Sequence, residues 1–274
     1  MIVLNVLIFG MKTIVFTDLD GTFLNHDNYS YQESEEALSV LSKKEIPLVF
    51  TTSKTKDEVE ILQNKIGIKE PFIVENGAAL FIPKNYQGLD FSFLNQREEY
   101  FIFRLGVSYI EVVEFYNSFK EEFGMFGFSD MTIAEVVKYT GLLEDEAKIS
   151  IKRGFTEPFL LEDELMLKDL QTKAAQNGLK ITKGGRFYHL IGENQDKGKA
   201  VEVCVQMFED IFSQKIKSIG LGDGQNDVPL LESVDVPIAI QNHEGAYVDI
   251  SSKKIQRSSY KGAKGWNEMI LKNV

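Results

Sequence analysis

Short apolar runs alternate with amphipathic stretches along the first part of the chain. Residues 13–17, 46–52 and 71–75 are rich in Ile, Val and Phe and are bounded by polar or turn-forming residues, which is typical of buried strands. Between these runs, residues 33–44 and 55–67 place apolar side chains at helical spacing. Strands and helices in alternation predict an α/β fold whose core is a doubly wound, Rossmann-like parallel sheet.

This alternation stops after residue 83 and resumes near residue 194. The intervening chain holds separate helical and strand-like stretches, including a strand pair over residues 179–191 that turns at Gly184-Gly185. An amphipathic helix over residues 196–212 and two further strands then restore the earlier pattern. We therefore predict a core domain formed by residues 1–83 and 194–274, and an inserted α+β cap domain formed by residues 84–193.

Composition narrows the possible partners. The 274 residues carry a formal net charge of −11, and 43% of them are hydrophobic. Such a charge repels polyanions at long range, so we expect neither nucleic acid nor an anionic membrane surface as a partner. Cys204 is the single cysteine, which excludes an intrachain disulfide and favours a reducing, cytoplasmic location. The oligomeric state does not follow from these features.

The amino terminus is apolar but short. Residues 1–10 cannot span a bilayer and contain no Lys or Arg, so we expect no signal peptide. Because Met11-Lys12 directly precedes the first strand, this segment is either an upstream extension or an additional edge strand.

Two acidic loops follow predicted strands. Asp18 and Asp20 end the first strand, and Asp223 and Asp227 follow a strand over residues 217–221. Parallel strands end at one edge of a sheet, where α/β proteins bind their ligands. Carboxylates gathered there need a cation, and hard oxygen ligands suit Mg²⁺. The alternative is that Asp18 and Asp20 only form a turn.

Potential phosphate ligands occur at the same edge. Thr52 ends the second strand, and Lys197 with Gly198 begins a helix. Together these residues would form a phosphate cradle beside the carboxylates. Taken separately, Lys197 is more typical of an exposed helix start, and Thr52 of an ordinary strand end.

In this order, the motifs resemble those of the haloacid dehalogenase superfamily. Asp18-Leu19-Asp20-Gly21-Thr22 resembles its first motif, Thr52 its second, Lys197 its third and residues 222–227 its fourth. The position of the insertion resembles the C2-type cap of the Cof-like branch.

The resemblance implies a Mg²⁺-dependent phosphatase that forms an aspartyl phosphate. Asp18 would be the nucleophile, and Asp20 would first protonate the leaving alcohol and then deprotonate water. The residues that would bind Mg²⁺ are Asp18, Asp20 through its backbone carbonyl, and Asp223. Those that would bind or support the phosphoryl group are Thr52, Ser53, Lys197, Asn226 and Asp227.

Three further strings, at residues 52–55, 153–159 and 184–190, resemble phosphatases of glycosyl-phosphoglycerates. The implied substrate is a small phosphorylated sugar-glycerate, mannosyl-3-phosphoglycerate, which would give mannosylglycerate and phosphate. Arg153 and Arg186 can clamp its carboxylate. Thr156 and Glu157 can bond sugar hydroxyls, and Gly185 permits close approach of the backbone.

Several alternatives stay open on the sequence. Arg153 and Arg186 are also compatible with ordinary surface arginines of the cap, and Gly154 and Thr156 depart from the expected motif. A mannosyl and a glucosyl substrate are not distinguished. The chain is also compatible with a phosphosugar mutase, another sugar-phosphate phosphatase, or a non-catalytic ligand-binding module on the same fold.

Overall fold

The computed structural model describes residues 12–251 and 254–274, so the predicted extension or edge strand at residues 1–10 lies outside them. The strands are β1 Lys12–Thr17, β2 Leu48–Thr51, β3 Phe72–Val74, β4 Ala79–Pro83, β5 Asn95–Arg97, β6 Tyr100–Arg104, β7 Met125–Gly127, β8 Glu157–Leu161, β9 Leu179–Gly184, β10 Phe187–Gly192, β11 Ile216–Gly222, β12 Val236–Gln241 and β13 Gln256–Lys261. The helices are α1 Glu35–Lys43, α2 Lys56–Ile66, α3 Tyr109–Phe123, α4 Ile133–Thr140, α5 Glu144–Ser150, α6 Leu167–Ala175, α7 Lys197–Phe212, α8 Val228–Glu232 and α9 Gly262–Asn273.

A large mixed sheet confirms the predicted α/β core. Its strand order is β13-β12-β11-β1-β2-β3-β4-β6-β5, and the pairs from β13 to β3 are parallel. One face packs against α1, α2 and α9, where Leu41, Val59 and Trp266 are buried. The other face packs against α7 through Val201, Cys204 and other apolar residues. The parallel strands therefore present their carboxyl ends along one edge, as the sequence predicted.

A second, smaller sheet is antiparallel and separate from the large one. Its order is β7-β8-β10-β9. Helices α3 and α6 cover one face through a cluster that includes Tyr116, Phe159 and Leu170. A separate cluster that includes Val136 and Phe187 lies under α4 and α5. This α+β unit lies within residues 84–193, the range predicted for the cap.

The start of the insertion differs from the predicted position. Strands β5 and β6, which lie within residues 84–193, extend the large sheet because β6 pairs antiparallel with the whole of β4. Phe101 and Phe103 pack on the core cluster under α7 rather than inside the cap. The sequence between residues 84 and 105 lacks a helix that would mark it as core, so its long-range pairing was not visible. The other predicted boundary between the cap and the core, at residues 193 and 194, stays a prediction.

Local signals fix the helix ends. Thr55 accepts a hydrogen bond from Glu58 N, and Glu58 Oε2 accepts one from Thr55 N, which forms a capping box at the start of α2. Gly67 ends this helix in the left-handed conformation. These ends match the predicted ones. Strand β13 and helix α9 were not predicted.

Within the described residues, no helix has the length and apolarity that crossing a bilayer requires.

Trp266 on α9 provides a test of this packing. Its ring is fully buried beside Phe23, and its Nε1 donates to Thr17 Oγ1 at 3.0 Å, which ties α9 to the end of β1. We expect Trp266→Ala to lower the free energy of unfolding by about 3–5 kcal/mol, because it leaves a large cavity. Urea denaturation followed by far-UV circular dichroism measures the change.

Leu271 on the same helix is the control. Its side chain is 36% exposed, so Leu271→Ala is expected to change the free energy of unfolding by less than about 1 kcal/mol. Equal losses in the two variants would contradict this account of the core.

Candidate active site

The first acidic pair and the fourth motif meet where β1 and β11 end. These strands are parallel neighbours with Thr17 opposite Leu221, and Asp18 N donates to Leu221 O at 2.9 Å. Asp18 and Asp223 therefore follow adjacent strand ends. Carboxylate oxygens of Asp18, Asp223 and Asp227 all lie within 4.8 Å of one another. Three of the four predicted carboxylates are thus brought together in one group, which does not include Asp20.

Lys197 lies inside this cluster. Its Nζ is 2.6 Å from Oδ1 of Asp18 and 2.6 Å from Oδ1 of Asp227, and the side chain is fully buried. Burial opposes the charged form of Lys197, but the two carboxylates outweigh it and raise the pKa of this lysine above its ordinary value. Lys197 is therefore a buried, permanently charged ammonium group between two aspartates.

The start of α7 is held in place by a close backbone approach. Asp196 caps the helix by accepting a hydrogen bond from Lys199 N. Gly77 has φ of +88°, and a Cβ atom at this position would lie 2.1 Å from the backbone oxygen of Asp196. Only glycine permits this approach. The turn after β3 thus sets the position of Lys197.

Asp223 and Asp227 are also oriented from several sides. Thr22 Oγ1 donates to Asp223 Oδ1 at 2.7 Å. Oδ2 of Asp227 accepts hydrogen bonds from Asp223 N at 3.1 Å and Gly224 N at 2.9 Å. A Cβ atom at Gly21 would lie 2.5 Å from Asp223 Oδ2, so the glycine keeps this edge of the carboxylate open. Side chains of the first and fourth motifs are therefore interdependent.

The crowded charges perturb both strand-end aspartates. Burial raises the pKa of Asp18 to about 7, the charges of Asp227 and Asp20 act in the same direction, and Lys197 opposes them. Burial, followed by the charges of Asp18 and Asp227, also raises the pKa of Asp223 well above its ordinary value. Three carboxylates face one ammonium group, which leaves an excess of negative charge. This donor set fits a hard divalent cation, which would remove that excess.

Asp20 lies nearer to solvent, with a side chain that is 35% exposed. Its Oδ2 is 3.1 Å from Nζ of Lys54, and this lysine also lies 3.6 Å from Glu58 Oε1. Lys54 was not predicted as a site residue. The available signal was its place directly after Thr52-Ser53, at the sheet edge that also carries Asp20.

The second motif places a hydroxyl and a backbone turn directly after β2, the strand that pairs with β1. Thr52 is buried, and its Oγ1 accepts a hydrogen bond from Lys54 N at 3.1 Å. Since that contact uses an oxygen lone pair, the hydroxyl proton of Thr52 is free to be donated. Ser53 lines the cavity above the carboxylates.

A cavity of about 280 Å³ lies between the core and the cap. The core contributes the carboxylates of Asp18, Asp20 and Asp223 and the side chain of Asn226, whose Nδ2 donates to Asn76 Oδ1 at 3.0 Å. The residues that the cap contributes include Arg153, Gly185 and Arg186. The cavity therefore brings predicted residues from both parts of the chain into one space, with Lys197 and Asp227 buried at the carboxylate cluster.

The two arginines differ in their surroundings. Arg153 is buried, and its Nη2 donates to Ser53 O at 2.8 Å and to Thr156 Oγ1 at 2.6 Å, while its Nε lies 3.4 Å from Glu75 Oε2. Arg186 is exposed, and its Nη1 lies 3.2 Å from Tyr139 O and 3.1 Å from Thr140 O. Arg153 thus joins the cap to the core, and Arg186 keeps its charge at the mouth of the cavity.

Thr156 and Glu157 do not line this cavity. Both are fully buried where β8 begins. Thr156 N and Oγ1 bond Glu75 Oε2, and Glu157 accepts hydrogen bonds from Tyr109 OH at 2.6 Å and Ser129 N at 2.7 Å. These polar side chains satisfy buried partners, so the structure gives them a supporting position instead of the expected sugar contact.

Histidines missed by sequence reasoning also line the cavity. The rings of His26 and His243 stack with centroids 4.0 Å apart, and both side chains come from core loops. His189, expected to be a packed residue, is buried, and this burial lowers its pKa to about 3. The sequence around His26 and around His243 shows no pattern that predicts contact between the two rings.

Comparison with known proteins agrees with this geometry. A family model described as haloacid dehalogenase-like hydrolase matches residues 15–260. The chain is a haloacid dehalogenase-like hydrolase. The resemblance seen in the motifs is thereby confirmed.

Similar curated relatives of this hydrolase extend over most of its length. A protein of Persephonella marina named glucosyl-3-phosphoglycerate/mannosyl-3-phosphoglycerate phosphatase is 48% identical over 94% of this chain and 95% of its own. The mannosyl-3-phosphoglycerate phosphatase of Pyrococcus furiosus is 34% identical over 86% of this chain and 95% of its own. A solved haloacid dehalogenase-like hydrolase from B. subtilis, 16% identical, has a TM-score of 0.68 and covers 96% of this chain and 100% of its own, which supports the fold.

The raised pKa of Asp18 predicts how pH would affect the binding of a divalent cation at the carboxylate cluster. Below a pKa of about 7 the Asp18 carboxyl gains a proton that would compete with such a cation. With Mg²⁺ as the test cation, we expect the apparent affinity to fall about tenfold between about pH 8 and about pH 6. An increase in Tm on addition of Mg²⁺, measured by calorimetry at each pH, should shrink accordingly.

Asp223→Asn provides the control, because it removes a carboxylate of the cluster and should abolish any Mg²⁺-dependent increase in Tm at both pH values. A Mg²⁺ effect that grows on acidification would contradict the assignment.

Proposed function

We propose that this hydrolase is a Mg²⁺-dependent phosphatase that releases phosphate from a glycosyl-3-phosphoglycerate, with mannosyl-3-phosphoglycerate as the first substrate to test. The observation that carries the proposal is the buried Asp18–Lys197–Asp227 arrangement, with Asp223 beside it, at a cavity whose opposite side carries cap arginines. The names of the relatives give the substrate class and include the glucosyl ester as well. A cytoplasmic setting fits the single, buried and free Cys204.

Asp18 is the nucleophile in this mechanism. Its carboxylate oxygen forms a bond to phosphorus while the bond between phosphorus and the glycerate oxygen breaks. Lys197 fixes Asp18 through a contact of 2.6 Å, and an ammonium group has a third N–H that the two aspartates leave free. That donor and the hydroxyl of Thr52 would bind phosphoryl oxygens. Attack therefore starts from a carboxylate that is already oriented.

Asp20 transfers the protons. Its carboxyl gives a proton to the departing glycerate oxygen, and the resulting carboxylate then takes a proton from the water that cleaves the aspartyl phosphate. The partial exposure of Asp20 at the cavity suits contact with both the leaving group and water. Hydrolysis returns Asp18 to its free carboxylate form.

Mg²⁺ would be held by the carboxylates of Asp18 and Asp223 and by the backbone carbonyl of Asp20. When bound, it supplies the positive charge that neutralises the equatorial oxygens of the transferring phosphoryl group. Asp227 orients Lys197, and its contacts to the backbone of residues 223 and 224 hold the metal-binding loop. Asn226 supports the same loop through Asn76.

The cap supplies recognition of the rest of the substrate. Arg186 carries an available guanidinium group for the glycerate carboxylate, and Gly185 beside it leaves room for close approach. Arg153 holds Ser53 in place from the opposite side. Thr156 and Glu157 fix the loop that carries Arg153 and are assigned no direct sugar contact.

A phosphate-release assay tests the proposed function. The mannosyl and glucosyl esters of 3-phosphoglycerate are compared with mannose 6-phosphate, with Mg²⁺ present and with Mg²⁺ chelated. We expect phosphate from the glycosyl-phosphoglycerates only when Mg²⁺ is present. Isomer formation from mannose 6-phosphate in place of phosphate release would identify a mutase and overturn the proposal.

The role of Asp18 as the nucleophile can be tested by replacing one of its carboxylate oxygens with an amide nitrogen. We expect Asp18→Asn to retain the fold and to lower kcat by more than about a thousandfold, since an amide is a far poorer nucleophile than a carboxylate. Asp210→Asn, the same change on the exposed side of α7, should leave kcat within about twofold of the wild type. Steady-state phosphate release, with circular dichroism to verify the fold, checks both. Near wild-type turnover by the Asp18 variant would exclude the aspartyl-phosphate route.

Arg186 can be separated from the catalytic steps. We expect Arg186→Gln to raise KM for a glycosyl-3-phosphoglycerate about tenfold or more with little change in kcat, because the lost group binds the ground state and the transition state alike. The matched change Arg257→Gln removes an exposed arginine of β13 and should alter neither constant. Initial rates over a range of substrate concentrations give the two constants. An unchanged KM in Arg186→Gln would remove Arg186 from the substrate site.

A further inference from the structure

Lys54 is held too firmly to be an incidental surface lysine. Its side chain is 13% exposed and contacts two carboxylates, Oδ2 of Asp20 at 3.1 Å and Oε1 of Glu58 at 3.6 Å. Glu58 is itself fixed, because its Oε2 accepts hydrogen bonds from the backbone and the hydroxyl of Thr55 in the capping box of α2. The ammonium group of Lys54 therefore has a defined position relative to Asp20.

The backbone of Lys54 is equally constrained. Its N–H donates to Thr52 Oγ1 at 3.1 Å, and its carbonyl accepts a hydrogen bond from Glu75 N at 3.0 Å. Thr52 belongs to the proposed phosphate cradle, and Glu75 binds the cap loop that starts at Arg153. Lys54 thus connects the phosphate site, the cap attachment and Asp20.

The two oxygens of Asp20 have different environments. Oδ2 faces the ammonium group of Lys54. Oδ1 is buried and has no hydrogen-bond partner among the described residues. Since Oδ1 is enclosed and Oδ2 is held by Lys54, the carboxyl group of Asp20 has one defined orientation at the cavity. The contact with Lys54 therefore sets which part of this group substrate and water can reach.

We propose that Lys54 is a positioning residue that holds Oδ2 of Asp20 and thereby orients the carboxyl group that carries the proton in both half-reactions. This inference rests on the proposed phosphatase function. In the first half-reaction the proton leaves the Asp20 carboxyl group for the glycerate oxygen as the bond between that oxygen and phosphorus breaks. In the second, the Asp20 carboxylate takes a proton from water as the water oxygen bonds phosphorus and the Asp18–phosphorus bond breaks. Lys54 exchanges no proton in either step.

Dependence on the leaving group separates this role from a general structural one. Departure of an alkoxide from mannosyl-3-phosphoglycerate needs a proton, whereas para-nitrophenolate departs without one. The rate of the first turnover is measured with both esters, by rapid quench for the sugar ester and by absorbance for the aryl ester. We expect Lys54→Met to slow the sugar ester about a hundredfold and the aryl ester by less than about tenfold.

Two further variants sharpen the comparison. Lys54→Arg keeps a charged donor and should recover the sugar-ester rate to within about tenfold of the wild type. Lys56 lies two residues away but pairs with Glu60 at 2.8 Å and Glu98 at 3.4 Å, outside the cavity of the carboxylates. Lys56→Met removes the same charge from the first residue of α2 and should leave both rates unchanged.

The ratio of the two rates within one preparation is independent of the fraction of folded protein. Equal slowing of both esters, or no slowing of either, in Lys54→Met would overturn the positioning role while leaving the phosphatase in place. A wild-type protein that hydrolyses neither ester with Mg²⁺ would overturn the proposed function itself, and the inference with it.

Discussion

The burial of Lys197 between Asp18 and Asp227 is the interaction on which the site depends. An ammonium group removed from water is costly unless opposite charges and hydrogen bonds replace the lost hydration. Here two carboxylates at 2.6 Å provide them, and these carboxylates come from strand ends that only the parallel sheet brings together. Lys197 in turn needs α7 to begin against the turn at Gly77. The fold and the cluster therefore require each other: removal of one partner would leave a buried charge unpaired.

A second buried charge fixes the cap. Glu75 is 2% exposed and occupies the left-handed region with φ of 48° in the turn between β3 and β4. Its carboxylate accepts hydrogen bonds from the backbone N–H groups of residues 154, 155 and 156, and Nε of Arg153 lies 3.4 Å away. Because the same turn also contacts the start of α7, one short segment sets both the position of Lys197 and the attachment of the cap. Two buried charged centres, Lys197 with its aspartates and Glu75 with Arg153, therefore fix the positions of the core and cap residues that surround the cavity.

The sequence was sufficient for features that depend on local or strand-end rules. Asp18, Asp223 and Lys197 could be placed together because parallel strands end at one edge, and Thr55 and Gly67 could be recognised as helix ends from cap chemistry. Strands β5 and β6 could not be assigned to the core, since their pairing with β4 is a long-range contact in a stretch without clear periodicity. Thr156 and Glu157 show the same limit for a site: their residue types suit sugar hydroxyls, but only the fold reveals that Glu75, Tyr109 and Ser129 already occupy them.

The pairing of charges also decides how an anionic substrate can be attracted by a chain of net charge −11. Lys54 faces Asp20, Arg153 lies beside Glu75, and Lys197 is shared by Asp18 and Asp227, so each of these cations is largely neutralised within the protein. Arg186 differs from them, because its contacts in the described part of the chain are backbone carbonyls, which satisfy donors without cancelling a charge. In the proposed function, attraction for a phosphate and a carboxylate on one molecule would therefore come from Arg186 at the mouth and from a divalent cation at the carboxylate cluster. The paired lysines and Arg153 instead hold neighbouring groups in position. A cation that is neutralised by its partner can still do this.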